Sequence, residues 1–129
     1  MLTYNIEGYK RNKFYLSTLI EQYNPLFLFL QEHWVPYCEI DSKLASDFPN
    51  YRFLSTASDM FTPAEELMLT PGTAWQGTTI GWSADIDSFV TKLPVISDRF
   101  CGVAYSDKQT SLLSYTAYLP TSGQDEEFM

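Results

Sequence analysis

The residues best suited to chemistry stand at the end of an apolar run, in the segment FLFLQEHW, residues 27–34. Glu32 offers a carboxylate there, and Asn5 offers an amide oxygen at the end of an earlier apolar stretch, LTYNI. Carboxylate and amide oxygens suit a hard cation such as Mg²⁺. If the two segments are neighbouring parallel strands, both side chains lie at one edge of a sheet. Position alone still favours a solvated loop acid at Glu32, and two oxygen donors do not make a complete site.

His33 is the only histidine of the chain, and its place beside Glu32 makes it a candidate general base. Successive side chains of a strand point to opposite faces of the sheet. A histidine next to a cleft-facing Glu32 should therefore point away from the cleft. We expect a structural or surface role for His33. Tyr118, at the end of the last predicted strand, is placed to offer a phenol to a phosphate, although for one tyrosine among nine the position alone favours a packing or surface role.

The residue inventory excludes several other kinds of catalytic site. A serine hydrolase would depend on His33, and the sequence contains no GxSxG elbow. Phosphate-loop, dinucleotide-binding and HExxH zinc motifs are also missing from the sequence. Cys38 and Cys101 stand far apart and outside any CxxC motif, so we expect two reduced, largely buried thiols.

Composition and charge limit the classes of protein to which this chain could belong. The 129 residues are 45% hydrophobic and 16% aromatic, which is typical of a single packed domain. The net charge of −8 argues against a stand-alone nucleic-acid-binding module, but not against an enzyme whose acids hold a metal. No apolar run approaches the roughly 20 residues that span a bilayer, and the start lacks a secretory signal. We expect no membrane partner, with a cytoplasmic or nuclear location as the default.

The hydrophobic pattern predicts the elements that position Asn5 and Glu32. LTYNI, residues 2–6, is typical of a strand, and LFLFLQ, residues 26–31, is typical of a strand buried on both faces. Between them, four residues repeat with the period of an amphipathic helix: Leu16, Leu19, Ile20 and Tyr23. Pro25 ends this helix, because the residue before a proline avoids the α conformation. The order strand, helix, strand predicts a βαβ unit.

The remaining elements are shorter. Leu44 and Phe48 predict a short second helix, residues 51–55 a strand, and residues 65–69 one helical turn. An antiparallel meander is predicted from four β-rich segments, TAWQGTTIGWS, SFVTKL, RFCGVAYS and SLLSYTAYL, with the turns SADID, PVISD and DKQ between them. The final TSGQDEEF is typical of a helix start. Because the chain ends there, we expect a fragment of a longer domain.

Five segments, in this order, resemble the endonuclease/exonuclease/phosphatase superfamily, the metal-dependent phosphodiesterase fold of DNase I-like nucleases and apurinic endonucleases. They are LTYNIEG, LFLFLQEHW, GTAWQGTTIGWS, SDRFCGVAY and SYTAYLPTSGQDEEF. The QEHW, GTTIGW and YLP forms look most like the endonuclease domains of LINE-type retroelements. The resemblance implies an α+β fold: the N-terminal half of a four-layer α/β/β/α sandwich, with a mixed sheet and flanking helices.

The resemblance also implies roles for individual residues. Glu32, in QEHW, matches the glutamate that binds Mg²⁺, with Mn²⁺ as the alternative cation. Asn5, in YNIEG, matches the asparagine that orders both metal and phosphate, and Tyr118, in AYLP, the tyrosine that contacts the scissile phosphate. Arg99, in SDRF, looks like a supporting arginine. The family's substrate is DNA, whose phosphorus is attacked in line by water.

The sequence departs from the family pattern in its catalytic motifs. The family's second half carries a GDFN-like Asp/Asn pair and an SDH-like Asp/His pair, and neither occurs here. Residues 1–129 would then form a partial domain whose C-terminal half is absent, catalytically incomplete and weak in binding DNA. One sheet face would stay uncovered and promote self-association. The alternative is a non-catalytic α/β interaction domain or structural remnant.

Overall fold

The first part of the chain forms the predicted βαβ unit. In the computed structural model, which describes residues 1–60 and 76–117, β1 spans Leu2–Asn5, α1 spans Tyr9–Tyr23 and β2 spans Phe27–Gln31. The two strands pair in parallel. Helix α1 ends where Pro25 predicts: Asn24 adopts a left-handed conformation with φ 41° and donates its N–H to Ile20. Asparagine tolerates that conformation better than most residues.

The second helix is longer than the sequence pattern predicts. Helix α2 spans Tyr37–Asp47 and begins directly after Pro36, whose fixed φ suits the position before a helix. The following strand, β3, spans Tyr51–Ser55 as predicted. Both helices pack on one face of the first sheet and bury a cluster of apolar residues that includes Leu16, Leu28, Leu30, Ile40 and Leu44. Neither helix of the described segments is long and apolar enough to cross a membrane.

The strand predicted to open the meander belongs instead to the first sheet. It is β4, spans Thr78–Ser83, and lies between β2 and β3, antiparallel to both, in the order β1-β2-β4-β3. Five of its six residues are buried, so it is a central strand and not an edge. Gly81 makes this possible, because a Cβ there would lie 2.8 Å from Cε1 of Phe53 on the neighbouring strand.

The rest of the predicted meander forms a second sheet. Strands β5 (Val90–Lys92), β6 (Phe100–Ser106) and β7 (Ser111–Ala117) are antiparallel in the order β5-β6-β7. The SADID segment, predicted as a turn, begins at the last residue of β4, Ser83, and continues in a 3₁₀ helix over Ala84–Phe89. Asp87 of this helix accepts a hydrogen bond from the indole N–H of Trp82 at 2.8 Å, and this bond ties the helix to the end of β4.

The two sheets pack face to face around a second apolar cluster. Phe27, Phe29, Ile80 and Trp82 come from the first sheet, and Cys101 and Val103 from the second. The described residues therefore form three layers, namely helices, a mixed four-stranded sheet and a three-stranded sheet. This confirms the α+β class with a mixed sheet and flanking helices. The helical turn predicted at residues 65–69 and the helix start predicted after Pro120 lie outside the described residues.

The outer face of the second sheet carries exposed apolar side chains. Cys101 and Val103 face the first sheet and pair with Thr116 and Ser114 of β7, so the alternate β7 residues face outward. Leu113 and Tyr115 on that outer side are 64% and 57% exposed. Self-association through this face stays a prediction.

The two cysteines differ in environment. Cys101 is buried between the sheets, as predicted, and the prediction for Cys38 is wrong, because that residue is exposed at the start of α2. Both are free thiols.

Candidate active site

Asn5 and Glu32 lie at the same edge of the first sheet. Asn5 pairs with Gln31 across the parallel strands, and Glu32 follows Gln31 directly. The pairing continues for one more residue, since Ile6 donates its N–H to the Gln31 carbonyl at 2.9 Å. Asn5 is exposed and Glu32 is half-buried. The amide oxygen of Asn5 accepts the N–H of Glu7 at 3.2 Å, which orients this side chain at the end of its strand.

The backbone around this edge is unusual. Glu32 and Trp34 have φ values of 60° and 57°, and Glu7, across from them, has φ 48°. A left-handed conformation costs a residue with a Cβ roughly 1–2 kcal/mol. Such outliers persist only where surrounding contacts hold them, and they are concentrated at functional sites. Three of the four non-glycine residues with positive φ in the described ranges lie at this edge.

Backbone hydrogen bonds hold the turn at Glu32 on both sides. Its N–H donates to the Gly77 carbonyl at 2.8 Å, and its carbonyl accepts the Gly8 N–H at 2.8 Å. The carbonyl of the next residue, His33, accepts the N–H of Tyr9 at 2.7 Å, in the first turn of α1. The turn is therefore fixed between the start of α1 and the segment that leads into β4.

His33 points into the protein, so of the two predicted roles, structural or surface, its burial excludes the surface one. Only 1% of the residue is exposed. Its Nδ1 accepts the N–H of Val35 at 2.9 Å, so the proton is on Nε2, which donates to the carbonyl of Thr56 at 2.6 Å. Burial lowers the pKa of His33 to about 4, against a tendency of the Thr56 bond to raise it. The physical reason differs from strand alternation: β2 ends at Gln31, and the left-handed Glu32 turns the next side chain inward.

Two glycines with positive φ receive the rings of this turn. A Cβ on Gly77, with φ 114°, would lie 2.2 Å from Nε2 of His33. A Cβ on Gly8, with φ 104°, would lie 2.8 Å from Cε3 of Trp34. Both distances are too short for any real Cβ, so each ring occupies the space that a side chain would need. Sequence reasoning missed this pairing, because neither glycine stands near its ring in the chain.

Arg99 lies at the same end of the sandwich as Asn5 and Glu32. It directly precedes β6, and its backbone N–H donates to Oγ of Ser97 at 3.1 Å. The carbonyl of Asp98 accepts a hydrogen bond from the Thr56 hydroxyl at 2.8 Å, and Thr56 also holds His33. The segment that carries Arg99 is thus tied to the back of the Glu32 turn.

Buried hydroxyl groups form a network that sequence reasoning did not identify. The hydroxyls of Thr56 and Thr78 lie 2.7 Å apart, and those of Ser55 and Thr79 lie 2.8 Å apart. The thiol of Cys101 lies 3.5 Å from the Thr78 hydroxyl, and burial raises the pKa of this thiol to about 11. The signal in the sequence was the pair of threonines that opens the buried strand β4. The network joins β3, β4 and β6 behind the candidate site.

Tyr118 lies outside the described residues. The strand before it, β7, reaches the candidate site, since Gln31 donates from Nε2 to the Thr116 hydroxyl at 2.7 Å. A cleft of about 310 Å³ opens beside this contact, with Thr3 on one wall and Ala117 on the other. The roles of Tyr118 and of the other site residues stay predictions.

The donor chemistry at this edge fits a hard cation that keeps most of its water ligands. Glu32 supplies a carboxylate, and Asn5 supplies an amide oxygen on the adjacent strand. Within residues 1–60 and 76–117 there is no group of three or more His, Cys, Asp and Glu side chains that could hold a metal. A divalent cation of this kind is commonly held by one or two carboxylates, while water or substrate oxygens complete its coordination.

Comparison with solved structures identifies the fold. No family model matches the sequence. No curated protein matches it either. The chain is similar to the crystal structure of AP endonuclease LMAP from Leishmania major, with a TM-score of 0.66, 16% sequence identity and 97% of this chain covered. The chain spans 42% of the length of that structure. The likeness shows the fold alone: the mixed α+β sandwich of this chain is similar to part of that AP endonuclease structure.

Proposed function

We propose that this chain is the N-terminal part of a Mg²⁺-dependent phosphodiesterase domain of the endonuclease/exonuclease/phosphatase superfamily, acting on nucleic acid and derived from a LINE-type retroelement. The observation that carries the proposal is Glu32, a half-buried residue held in a left-handed turn that follows directly on a strand paired in parallel with the strand ending at Asn5. Ligands of open α/β sheets bind at this kind of edge. The fold likeness to an AP endonuclease supports the same assignment.

In this proposal each residue has a separate task. Glu32 binds the cation, and Asn5 contributes its amide oxygen or orients the phosphate. Tyr118 contacts the scissile phosphate, and Arg99 supports the site from the start of β6. A bound Mg²⁺ would stabilise negative charge on the phosphoryl oxygens. No GDFN-like or SDH-like segment occurs in the 129 residues, so we expect this chain to bind the cation without cleaving DNA.

The second candidate function is a non-catalytic interaction or structural domain. It is favoured by the exposed Leu113 and Tyr115 on the outer face of the second sheet, because an exposed apolar patch suits contact with another protein surface. The two candidates differ in one measurable property, because only the first requires Glu32 to bind a divalent cation.

A metal titration separates them. We would measure Mn²⁺ affinity by electron paramagnetic resonance for the full chain, for Glu32→Gln and for Glu21→Gln, an exposed acid on α1 that serves as the matched control. We expect affinity to fall at least about 10-fold in Glu32→Gln and to stay unchanged in Glu21→Gln. Equal affinity in all three proteins would contradict the proposal.

A plasmid-cleavage assay with Mg²⁺ tests the incompleteness of the site. We expect no cleavage by the full chain. Robust cleavage that Glu32→Ala abolishes would show that the 129 residues are a complete enzyme, and would contradict that part of the proposal.

A further inference from the structure

The imidazole of His33 connects three segments that surround Glu32. Its Nδ1 accepts the N–H of Val35, which closes the turn that Glu32 begins. Its Nε2 donates to the carbonyl of Thr56, the residue after β3. Its ring fills the space left by the missing side chain of Gly77, whose carbonyl accepts the N–H of Glu32. One buried side chain therefore contacts three segments next to the candidate metal ligand, at Val35, Thr56 and Gly77.

We propose that His33, seated against Gly77, is a positioning residue: it holds Glu32 in its left-handed conformation and so sets the direction of the carboxylate beside Asn5. The role of that carboxylate in binding a cation depends on the proposed function. The claim about the backbone of Glu32 does not depend on it.

The left-handed conformation of Glu32 needs neighbouring contacts to stabilise it. A left-handed conformation is unfavourable for a residue with a Cβ, so Glu32 relaxes toward an extended or helical conformation unless its neighbours prevent it. Relaxation would carry the N–H of Glu32 away from the Gly77 carbonyl, now 2.8 Å distant. His33 opposes this movement, because its ring packs against Gly77 while Nδ1 fixes Val35 on the other side of the turn. Outer contacts that orient a ligand in this way commonly change metal affinity 10- to 100-fold when removed.

The alternative is that His33 only packs in the core and has no specific effect on the turn at Glu32. A core-filling residue affects global stability, and its replacement leaves the local geometry of Glu32 intact in molecules that remain folded. A positioning residue affects the local opening of the Glu32 turn beyond any global effect. Amide hydrogen exchange distinguishes the two, because it reports local and global opening separately.

Three variants at His33 test its two hydrogen bonds separately. His33→Leu removes both hydrogen bonds, His33→Gln keeps a donor within reach of the Thr56 carbonyl, and His33→Asn keeps an acceptor near the position of Nδ1. In each folded variant we would compare exchange at the Glu32 and Gly8 amides with exchange at Leu30, inside β2. Mn²⁺ affinity would be measured on the same samples, at a temperature where unfolding is negligible.

We expect His33→Leu to lose at least about 10-fold more protection at Glu32 and Gly8 than at Leu30, and to bind Mn²⁺ about 10-fold more weakly than wild type. His33→Gln or His33→Asn should restore part of both properties. If His33→Leu does not fold, protection at Glu32 and Gly8 is compared with protection at Leu30 in His33→Gln and His33→Asn, and a larger loss at Glu32 and Gly8 supports the positioning role. If the wild type binds no Mn²⁺, the proposed function fails and the exchange data alone decide the positioning role. Equal loss of protection at all three amides would overturn the inference.

Discussion

The side-chain amide of Gln31 donates a hydrogen bond to the hydroxyl of Thr116 at 2.7 Å, and this bond joins the two sheets at the end of the sandwich where Glu32 lies. Gln31 is the last residue of β2, and Thr116 is 3% exposed on the inner face of β7. The bond therefore fixes the end of β7 relative to the candidate metal ligand. Tyr118 follows two residues later in the chain.

Replacement of Thr116 by valine should lower the free energy of unfolding by about 1 kcal/mol, because the change keeps the side-chain volume and removes the nearer of the two hydroxyl acceptors of Gln31, the other being Thr3 at 3.5 Å. Thr116→Ser is the matched control, since it keeps the hydroxyl group and loses one methyl group. Urea denaturation followed by circular dichroism measures both. A valine variant as stable as wild type would show that the bond between the sheets contributes nothing.

The stability of the fold should decrease in mild acid because of His33. Burial lowers its pKa to about 4 in the folded protein, whereas the unfolded chain has the ordinary value of 6.5. Between those two values the unfolded state binds a proton that the folded state does not. The stabilising contribution is therefore complete above pH 6.5 and is lost as the pH falls toward 4, by about 3 kcal/mol in total.

Urea unfolding at pH 7 and at pH 4.5 measures this dependence. His33→Gln cannot titrate, so we expect a smaller loss of stability in this variant than in wild type over the same interval. The prediction is wrong if the two proteins lose stability equally.

The two thiols should react at very different rates. Cys38 is exposed, whereas Cys101 is buried with its pKa raised to about 11. At pH 8 the thiolate fraction of such a group is on the order of one in a thousand, in addition to its steric protection. A thiol-reactive dye should label one cysteine per native molecule rapidly and the second only after unfolding. In Cys38→Ser the rapid phase should vanish, and a persistent rapid phase would contradict the burial of Cys101.

Local patterns were sufficient to predict the βαβ unit and β3. The apolar period of α1, the proline after Asn24 and the continuous apolar run of β2 each specify one conformation within a few residues. The place of β4 could not be predicted in this way. Its partners are β2 and β3, far away in the chain, and an isolated β-rich segment carries no information on which sheet it joins.

In the candidate site, too, some features could be predicted from local sequence and others depend on residues far away in the chain. Because β1 and β2 are parallel, the sequence was sufficient to place Asn5 and Glu32 at one edge of the sheet. The left-handed turn at Glu32 and the inward direction of His33 were not predictable, because they depend on Gly77 and Thr56. Strand alternation correctly predicted that His33 points away from the cleft, but its premise was wrong, because β2 ends before this residue.

Gly77→Ala should be the most damaging single change at this site. An added Cβ would lie 2.2 Å from Nε2 of a histidine that is 1% exposed and hydrogen-bonded on both nitrogens, and the φ of 114° disfavours any side chain. The ring cannot move without breaking its bond to Thr56 or Val35. We expect the free energy of unfolding to fall by about 3 kcal/mol or more.

Gly102→Ala is a control for the steric overlap alone, because Gly102 lacks the positive φ of Gly77. Its Cβ would lie 2.4 Å from Cε1 of Tyr115, a comparable overlap, but Tyr115 is 57% exposed and can rotate toward solvent. We expect Gly102→Ala to cost about 1 kcal/mol or less. Chemical denaturation of both variants makes the comparison direct. If the two changes cost the same, His33 is free to move away from Gly77, and the turn at Glu32 does not depend on the fit of that ring against the glycine.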